Sequence, residues 1–319
     1  MTHIFEFANW MDRLRAPLLG ALVLTLVSCN PTDSLTPTET DIDVVDDGTS
    51  AVGEAAPAMS ASYAGGIPFG NFNQPTTQFG SYYNGALRNI YPQYLLSNLA
   101  GIKSRGGKVV LTFSGKESTF KDANGNFSFS KWKARVDRFR KVNFSSYVKD
   151  GTIIGHYLVD EPNDPSNWNG HPISPATVEA MAKYSKQIWP SLPTIVRAYP
   201  EYMLKFSGKY YYLDAAWAQY VYRKGDVSTF IRQNVSYAQQ KGLALVVGLN
   251  YLHGGPNRTK MTATQVRNWG STLLSSSYPC AFVSYSYNST YLSNSGIRDA
   301  MRYLKSKATG RGFRSCRGP

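Results

Sequence analysis

Residues 152–162 combine the pattern of a buried β-strand with two adjacent carboxylates at its end. Residues 153–159 are mostly β-branched or apolar, and Pro162 stops the run. Asp160 and Glu161 therefore come at the carboxyl end of the predicted strand. In α/β barrels, the carboxyl ends of the strands form the catalytic face. The segment indicates an α/β fold in which these two acids belong to an enzyme active site.

Strand-like and helix-like runs alternate along residues 61–319. The seven predicted strands cover residues 67–73, 108–114, 152–160, 194–198, 211–217, 244–250 and 281–287. Alternating strands and helices predict a parallel sheet. The length and the strand count favour a single-domain (β/α)8 TIM barrel over an open doubly wound sheet. We expect one further strand, irregular or unrecognised, between residues 115 and 150.

Residues 1–60 differ from the rest of the chain in composition. Residues 1–28 contain Arg13 and Arg15 and then an apolar run, which is too short to span a bilayer comfortably but suits a signal peptide. Residues 29–60 carry seven acids and no Lys or Arg. Such a segment buries too little apolar surface to fold alone, so we predict an acidic flexible tether. Residues 61–319 form the predicted barrel domain.

Residues 26–29, Leu-Val-Ser-Cys, resemble a bacterial lipobox. The resemblance implies lipidation of Cys29 and a membrane anchor in the bacterial cell envelope. Asn30 follows the cysteine, in place of the aspartate associated with inner-membrane retention, so the resemblance implies the outer membrane. An ordinary secretory signal cleaved nearby, or a short anchor, is the alternative.

The barrel domain is strongly basic. The chain has 34 Lys and Arg and 21 Asp and Glu residues, and removing those of residues 1–60 leaves 32 basic and 12 acidic residues, a net charge near +20. That field attracts polyanions such as acidic polysaccharides, nucleic acids or anionic lipid headgroups, although it also serves solubility and general surface adhesion. No Lys/Arg block is dense enough to define a nucleic-acid motif. We expect a monomer with no specific nucleic-acid partner.

Two cysteines follow Cys29, at positions 280 and 316. In an exported protein, such a pair is more often bridged than free. We therefore predict a disulfide between Cys280 and Cys316, which would hold the basic C-terminal tail at the start of the last strand.

The strand order, the motif Gly-His-Tyr-Leu-Val-Asp-Glu-Pro at residues 155–162 and the aromatic strand ends resemble the catalytic barrels of glycoside hydrolases. The likeness covers residues 65–308 and includes uncharacterised barrels whose mid-barrel strand ends in Asp-Glu-Pro. The motif differs from the Asn-Glu pair of large retaining families and from the D-x-x-D-x-D-x-E pattern of chitinases. The resemblance implies a hydrolase that cleaves a polysaccharide by carboxylate acid/base catalysis without a cofactor. With the lipobox-like segment, we expect the hydrolase to be exported and lipid-anchored, and the basic domain slightly favours an anionic polysaccharide over a neutral one.

Glycoside hydrolysis requires a protonated acid and a second carboxylate. Glu161 is the expected general acid, because it directly precedes Pro162 at the strand end. By strand alternation, Asp160 points to the other side. There it would hold a neighbouring Arg or a helix N-terminus, or raise the pKa of Glu161. The alternative is that both acids only cap the loop.

Asp214 and Glu201 are the candidates for the second carboxylate. Asp214 falls within a predicted Tyr/Trp-rich strand, where an unpaired charge would be costly, and Glu201 follows just past a strand end. We favour Asp214 slightly. A salt bridge to Arg197 is the alternative role for either acid.

Aromatic and amide side chains at strand ends are candidates for sugar binding, because aromatic faces stack on sugar rings and amides recognise hydroxyl groups. The candidate substrate-binding residues are Asn73, Tyr199, Trp217, Gln219, Asn250, Tyr251, Tyr285 and Tyr287. The alternative for each tyrosine is an ordinary place in the core of a strand.

Two other functions are compatible with the same barrel. One is a surface lipoprotein that binds glycan without cleaving it, in which the strand-end carboxylates do not converge. The other is a metal-dependent phosphodiesterase or lyase, in which acids and the loop histidines His171 and His253 cluster. The sequence contains no H-E-x-x-H or Cys/His zinc spacing, so we expect no metal.

Overall fold

The computed structural model describes residues 66–80 and 82–318, and the signal, the lipidation site and the tether predicted for residues 1–60 lie outside them. The strands are β1 (Phe69–Phe72), β2 (Gly85–Asn89), β3 (Lys108–Thr112), β4 (Ile153–Asp160), β5 (Thr194–Arg197), β6 (Ala215–Tyr220), β7 (Ala244–Leu249) and β8 (Ala281–Ser284). All pair in parallel and in sequence order, and β8 pairs with β1 to close the barrel. The predicted (β/α)8 TIM-barrel fold is confirmed.

Helices cover the outside of the barrel. They are α1 (Leu95–Ser104), α2 (Phe129–Asp137), α3 (Ser145–Lys149), α4 (Pro175–Ile188), α5 (Pro200–Met203), α6 (Val227–Gln240), α7 (Ala263–Ser275), α8 (Ser289–Leu292) and α9 (Ser295–Thr309). Across residues 66–80 and 82–318, none of these helices is both long enough and apolar enough to cross a membrane.

The period-two alternation of the strands divides the core into an interior and an outer layer. In β6, Ala215 and Trp217 belong to the cluster inside the barrel. The intervening Ala216 and Ala218 pack with the surrounding helices. The strands are thus buried on both faces, which is why they appear as nearly continuous apolar runs in the sequence.

Helix starts follow the capping pattern of the sequence. Ser174 precedes Pro175 at the start of α4, and its hydroxyl accepts a hydrogen bond from the Thr177 amide at 3.1 Å. Asp226 caps α6 in the same way, accepting from the Thr229 amide at 2.8 Å. The carboxyl ends of the strands and the loops after them form the barrel mouth. These caps determine where the chain leaves a loop of the barrel mouth and begins a helix of the outer layer.

The unrecognised strand is β2, and its expected place between residues 115 and 150 is wrong. That region instead holds the short 3₁₀ helix Glu117–Phe120, α2 and α3. β2 depends on close backbone approach, because a Cβ on Gly70 would lie 1.7 Å from the Gly85 carbonyl oxygen. The sequence Gly-Ala-Leu-Arg-Asn has only two apolar residues, so tertiary pairing and not local pattern makes it a strand.

The C-terminal tail crosses the amino end of the barrel. A disulfide joins Cys280, just before β8, to Cys316, with their Cα atoms 5.2 Å apart. Both cysteines pack in the interior cluster. The Gly318 amide donates to Asp214 Oδ1 at 3.3 Å. The tail therefore covers the amino end of the barrel, opposite the carboxyl ends of the strands.

Candidate active site

Arg197, the last residue of β5, connects the carboxyl ends of three neighbouring strands. Its Nε donates to Asp160 Oδ1 at the end of β4. Its Nη2 lies 3.3 Å from Glu161 Oε1, and its Nη1 donates to Gln219 Oε1 in β6 at 3.2 Å. The Arg197 side chain is only 12 % exposed, so the buried cation needs both carboxylates as partners. Holding an arginine was one of the roles expected for Asp160.

Glu161 adopts a backbone conformation that is costly for a residue with a Cβ. Its φ is +35°. The surroundings hold it there: its amide donates to the Arg197 carbonyl at 2.9 Å, and its own carbonyl accepts from Trp168 Nε1 at 3.1 Å. Strained residues that are held this firmly concentrate at functional sites. The side chain of Glu161 remains 40 % exposed at the barrel mouth.

Glu117 is a third acid at this site, and it was not predicted from the sequence. It opens the short 3₁₀ helix that follows β3 and is half-buried. Burial raises its pKa to about 7, and the negative charge of Asp160 contributes to the rise, whereas Lys121 and Arg197 oppose it. The Glu117 carboxyl therefore keeps its proton to a much higher pH than an ordinary glutamic acid.

The pKa of Glu161 is raised as well, but Glu161 has a cation as a direct partner. Burial raises its pKa, the ion pair with Arg197 opposes the rise, and Asp160 and Asp164 add to it. Glu117 makes none of the ion pairs found within residues 66–80 and 82–318, whereas Glu161 is paired with Arg197. The site thus combines a carboxyl group that favours the proton with a carboxyl group held against a cation.

The sequence contained one signal for Glu117. It lies in the loop directly after the predicted strand at residues 108–114, where barrel loops line the catalytic face. Its neighbours Lys116 and Ser118 gave it the appearance of an ordinary polar loop residue. Its high pKa comes first from burial and then from the charge of Asp160, which belongs to the next strand and is distant in sequence.

Aromatic rings form the floor beneath these acids. Phe72 lies 4.8 Å from Trp217, 6.1 Å from Tyr157 and 5.6 Å from Tyr285, measured between ring centroids. The Arg197 guanidinium carbon lies 5.7 Å from the centroid of the Phe72 ring. The floor excludes water from below the arginine and strengthens its electrostatic interactions.

Two side-chain hydrogen-bond donors of β6 lie near this floor without a partner among the described residues. Trp217 Nε1 and Gln219 Nε2 are buried, and neither finds an acceptor in the part of the chain that the structure describes. Buried polar groups are nearly always hydrogen-bonded, so unpaired donors at a barrel mouth are suited to ligand oxygens. Both residues were predicted from the sequence as substrate-binding residues.

Asp214, the favoured second carboxylate, lies at the wrong end of the barrel. β6 begins at Ala215 and not at residue 211, so Asp214 precedes the strand at its amino end. Its carboxylate lies 2.6 Å from Lys186 Nζ and accepts from the Thr194 amide at 2.8 Å. Asp214 is therefore part of a buried structural ion pair and cannot act together with Glu161.

Glu201 lies at the correct end but does not join the site. It is an exposed residue in the first turn of α5, just after β5. No ion pair or hydrogen bond among residues 66–80 and 82–318 links its carboxylate to Arg197 or Glu161. The salt bridge to Arg197 proposed as its alternative role is instead made by Asp160 and Glu161.

The other predicted binding residues divide between the mouth and the outer layer. Tyr199 lies at the mouth, where its hydroxyl donates to the Gln219 carbonyl at 3.0 Å. Asn250 forms an isolated bridge with Tyr285 beyond the strand ends. Tyr251 is fully buried in the outer layer and stacks on Tyr291, so its selection for sugar binding is wrong.

Asn73 and Tyr287 are the remaining predicted binding residues. Asn73 is exposed after β1, and its amide donates to the Leu87 carbonyl at 2.8 Å. Tyr287 is half-buried and donates its amide to the Phe72 carbonyl at 2.9 Å. Both residues lie beyond the carboxyl ends of β1 and β8, on the side where the acids meet.

The histidines do not gather around the acids. His171 and His253 are exposed loop residues. His156 is fully buried, burial lowers its pKa to about 3, and its Nδ1 is 2.8 Å from Ser185 Oγ. In the described part of the chain, no group of three or more His, Cys, Asp or Glu side chains is arranged to hold a metal ion.

The chain matches no protein-family model. No curated protein matches it in sequence. Solved structures share its fold. One is Gas2 of Saccharomyces cerevisiae in complex with a compound, with a TM-score of 0.52 and 10% identity. The match covers 79% of this chain and 68% of the Gas2 chain. A mutant Gas2p in complex with laminaritetraose and laminaripentaose has a TM-score of 0.50 at 10% identity, over 81% and 69% of the two chains.

A more distant likeness is to the glycoside hydrolase domain of PelA from Pseudomonas aeruginosa. Its TM-score is 0.40 at 15% identity, over 68% of this chain and 95% of that domain. At 10% identity the Gas2 comparisons show the barrel fold alone, and the assignment of individual residues rests on the geometry of this site.

We expect the Glu117 carboxyl to titrate near pH 7 in carbon-13 NMR of protein labelled at the glutamate side chains. Asp160→Asn should lower this pKa toward the ordinary 4.5, because it removes the negative charge that contributes most to the rise after burial and leaves Arg197 less neutralised. Asp164→Asn is the matched control and should leave the Glu117 titration unchanged, since Asp164 acts on Glu161. A Glu117 pKa near 4.5 in the unmodified protein would contradict the description of the site.

Proposed function

We propose that this protein is a glycoside hydrolase that cleaves a polysaccharide at the carboxyl end of its barrel. The observation that carries the proposal is a half-buried Glu117 carboxyl whose pKa is raised to about 7, within electrostatic reach of the Asp160 and Glu161 carboxylates that bind Arg197. Glycoside hydrolysis needs one carboxylic acid at the leaving oxygen and one carboxylate on the other side of the sugar. The three acids and the arginine supply both forms at one site.

Glu117 is the proposed general acid. A general acid is most effective when its pKa is near the working pH, and the pKa of Glu117 is about 7. Its position in a βα loop, and not on a strand, leaves it accessible from the barrel mouth. This assignment replaces Glu161, which the sequence analysis had selected as the acid.

Glu161 is the proposed ionised carboxylate, either as a nucleophile or as the base for a water molecule. One of its oxygens is 3.3 Å from Arg197, which favours the charged form, and 40 % of the side chain is exposed at the mouth. The strained backbone at +35° fixes the direction in which the carboxylate points. Asp160 has a positioning role, because it holds Arg197 and raises the pKa of Glu117.

The floor of the site supports sugar binding. Trp217 Nε1 and Gln219 Nε2 offer buried donors without protein acceptors, and sugar hydroxyl groups are acceptors of the required kind. Phe72 and Tyr285 supply apolar ring surface beside them. The likeness to yeast Gas2, whose complex contains laminari-oligosaccharides, supports the barrel as a scaffold of suitable shape.

Glu117→Gln and Glu161→Gln should each lower the rate of reducing-sugar release by about 100-fold or more, because each removes a group that acts on the glycosidic bond. The assay uses the purified protein on a panel of neutral and acidic polysaccharides. Glu201→Gln is the matched control, since it makes the same change on an exposed residue at the same end of the barrel, and its rate should stay at the unmodified level.

Other outcomes would identify the alternative functions. Saturable binding without release by the unmodified protein would mean a glycan-binding lipoprotein. Activity that is abolished by a chelator and restored by a divalent cation would favour a metal-dependent phosphodiesterase or lyase. Full activity in Glu117→Gln, with its fold intact by circular dichroism, would remove Glu117 from the mechanism.

We also propose that residues 1–28 export the protein and that Cys29 anchors it by a lipid to the bacterial outer membrane, with residues 29–60 as the tether. The basic residues, apolar run and lipobox-like Leu-Val-Ser-Cys support this. The Cys280–Cys316 disulfide is compatible with an oxidising compartment.

In bacterial cells given radiolabelled palmitate, the protein should become labelled and should fractionate with outer membranes. Cys29→Ser should lose the label and leave the membrane fraction, because it removes the acceptor thiol. Label retained in Cys29→Ser would contradict the anchor at this residue.

A further inference from the structure

A groove opens beside the candidate active site, on the loop after β6. This open groove has a volume of about 450 Å³, and its walls include Tyr222, Arg223, Asp226 and Trp269. The loop that carries Tyr222 and Arg223 follows the strand of Gln219, which binds Arg197. The groove therefore leads away from the reacting carboxyl groups at the same end of the barrel.

Aromatic side chains form one wall of the groove. Tyr222 stacks on Trp269 with ring centroids 6.0 Å apart and an interplanar angle of 28°. Tyr220 meets the same Trp269 edge-on at 5.3 Å, which holds the indole in place from the core side. Tyr222 is 52 % exposed, so a ring face of sugar size remains available on this wall.

Positive charge lies between this aromatic wall and the candidate active site. Arg223 is exposed and close enough for its charge to act on both Glu161 and Tyr199. It takes part in no ion pair with any residue in the ranges 66–80 and 82–318. The next residue, Lys224, places its ammonium 4.2 Å from the centroid of the Tyr199 ring.

The one acid in the groove is already committed to a structural role. Asp226 accepts a hydrogen bond from the Thr229 amide at the start of α6, and its pKa is lowered by that backbone hydrogen bond. Its negative charge is thus directed to the helix N-terminus. The guanidinium of Arg223 remains free to bind an anion from solvent.

We propose that this groove is an anionic-sugar subsite, in which Arg223 binds a carboxylate or sulfate group and Tyr222 stacks on the ring that carries it. The inference rests on the proposed function and adds the substrate class: an acidic polysaccharide with a charged residue next to the cleaved bond. The fork of a guanidinium matches the two oxygens of a carboxylate, which makes a uronic acid the better fit.

Binding to the full-length Glu117→Gln protein, measured by calorimetry, tests the subsite without turnover. The probes are oligomers of galacturonic acid, sulfated chondroitin oligomers and neutral cello-oligomers. A second substitution in the Glu117→Gln protein, Arg223→Gln, should weaken binding of the acidic probes by about tenfold or more relative to Glu117→Gln alone. The reason is that it removes a charge-assisted hydrogen bond. The neutral probe should bind equally well with and without Arg223.

Two further variants separate charge from stacking. Arg232→Gln makes the same change on an exposed face of α6 outside the groove and should leave all affinities unchanged. Tyr222→Ala should weaken acidic and neutral probes alike, by about fivefold, because stacking does not depend on charge. A stronger effect of Arg223→Gln on the sulfated probe than on the galacturonate would identify sulfate as the preferred group within the same subsite.

Equal affinity for acidic and neutral probes, or an Arg223→Gln effect no larger than that of Arg232→Gln, would overturn the inference. A protein that binds none of the three probes would overturn it as well. Hydrolysis of neutral polysaccharides by the unmodified protein is measured separately, so the subsite can fail while the proposed function stands.

Discussion

The guanidinium of Arg197 is the interaction on which the rest of the candidate active site depends. From β5 it binds Asp160 and Glu161 of the β4 end and Gln219 of β6, so that one buried cation determines the spacing of three strand ends. Without it, two adjacent carboxylates at a half-buried mouth would repel each other without a cation to offset the repulsion. Glu117 lies outside this fork but within the field of Asp160. Glu161 is therefore paired directly with a cation, whereas Glu117 is not.

The two ends of the barrel have different physical roles. At the amino end, the Asp214–Lys186 ion pair and the Cys280–Cys316 disulfide are fully satisfied contacts that hold the tail over the strands. At the carboxyl end, Glu161 has a strained backbone, and buried donors such as Trp217 Nε1 lack partners. Strained backbone and unpaired polar groups are tolerated at functional sites when favourable contacts elsewhere in the fold offset their free-energy cost. The contrast supports the carboxyl end as the working face.

The pattern of neighbouring residues predicted the barrel and the acids at the end of β4, but it could not predict β2 or the composition of the candidate active site. The strand at residues 153–159, its terminal acids and the barrel followed from periodicity and alternation, which are properties of neighbouring residues. β2 could not be recognised, because it depends on the contact between Gly70 and Gly85. Asp214 was misassigned because β6 starts later than its aromatic run. The raised pKa of Glu117 arises from its burial in the folded protein and then from the charge of Asp160 on another strand, so no local pattern contains it.

We propose that Glu117 and Glu161 act on one glycosidic bond, and a crystal structure of the Glu117→Gln protein with an uncleaved oligosaccharide that the unmodified protein hydrolyses would test this. We expect the glycosidic oxygen within hydrogen-bond distance of the substituted side chain at position 117, and the Glu161 carboxylate on the opposite face of the sugar ring. An oligosaccharide seated elsewhere, or a scissile bond that reaches neither residue, would contradict it.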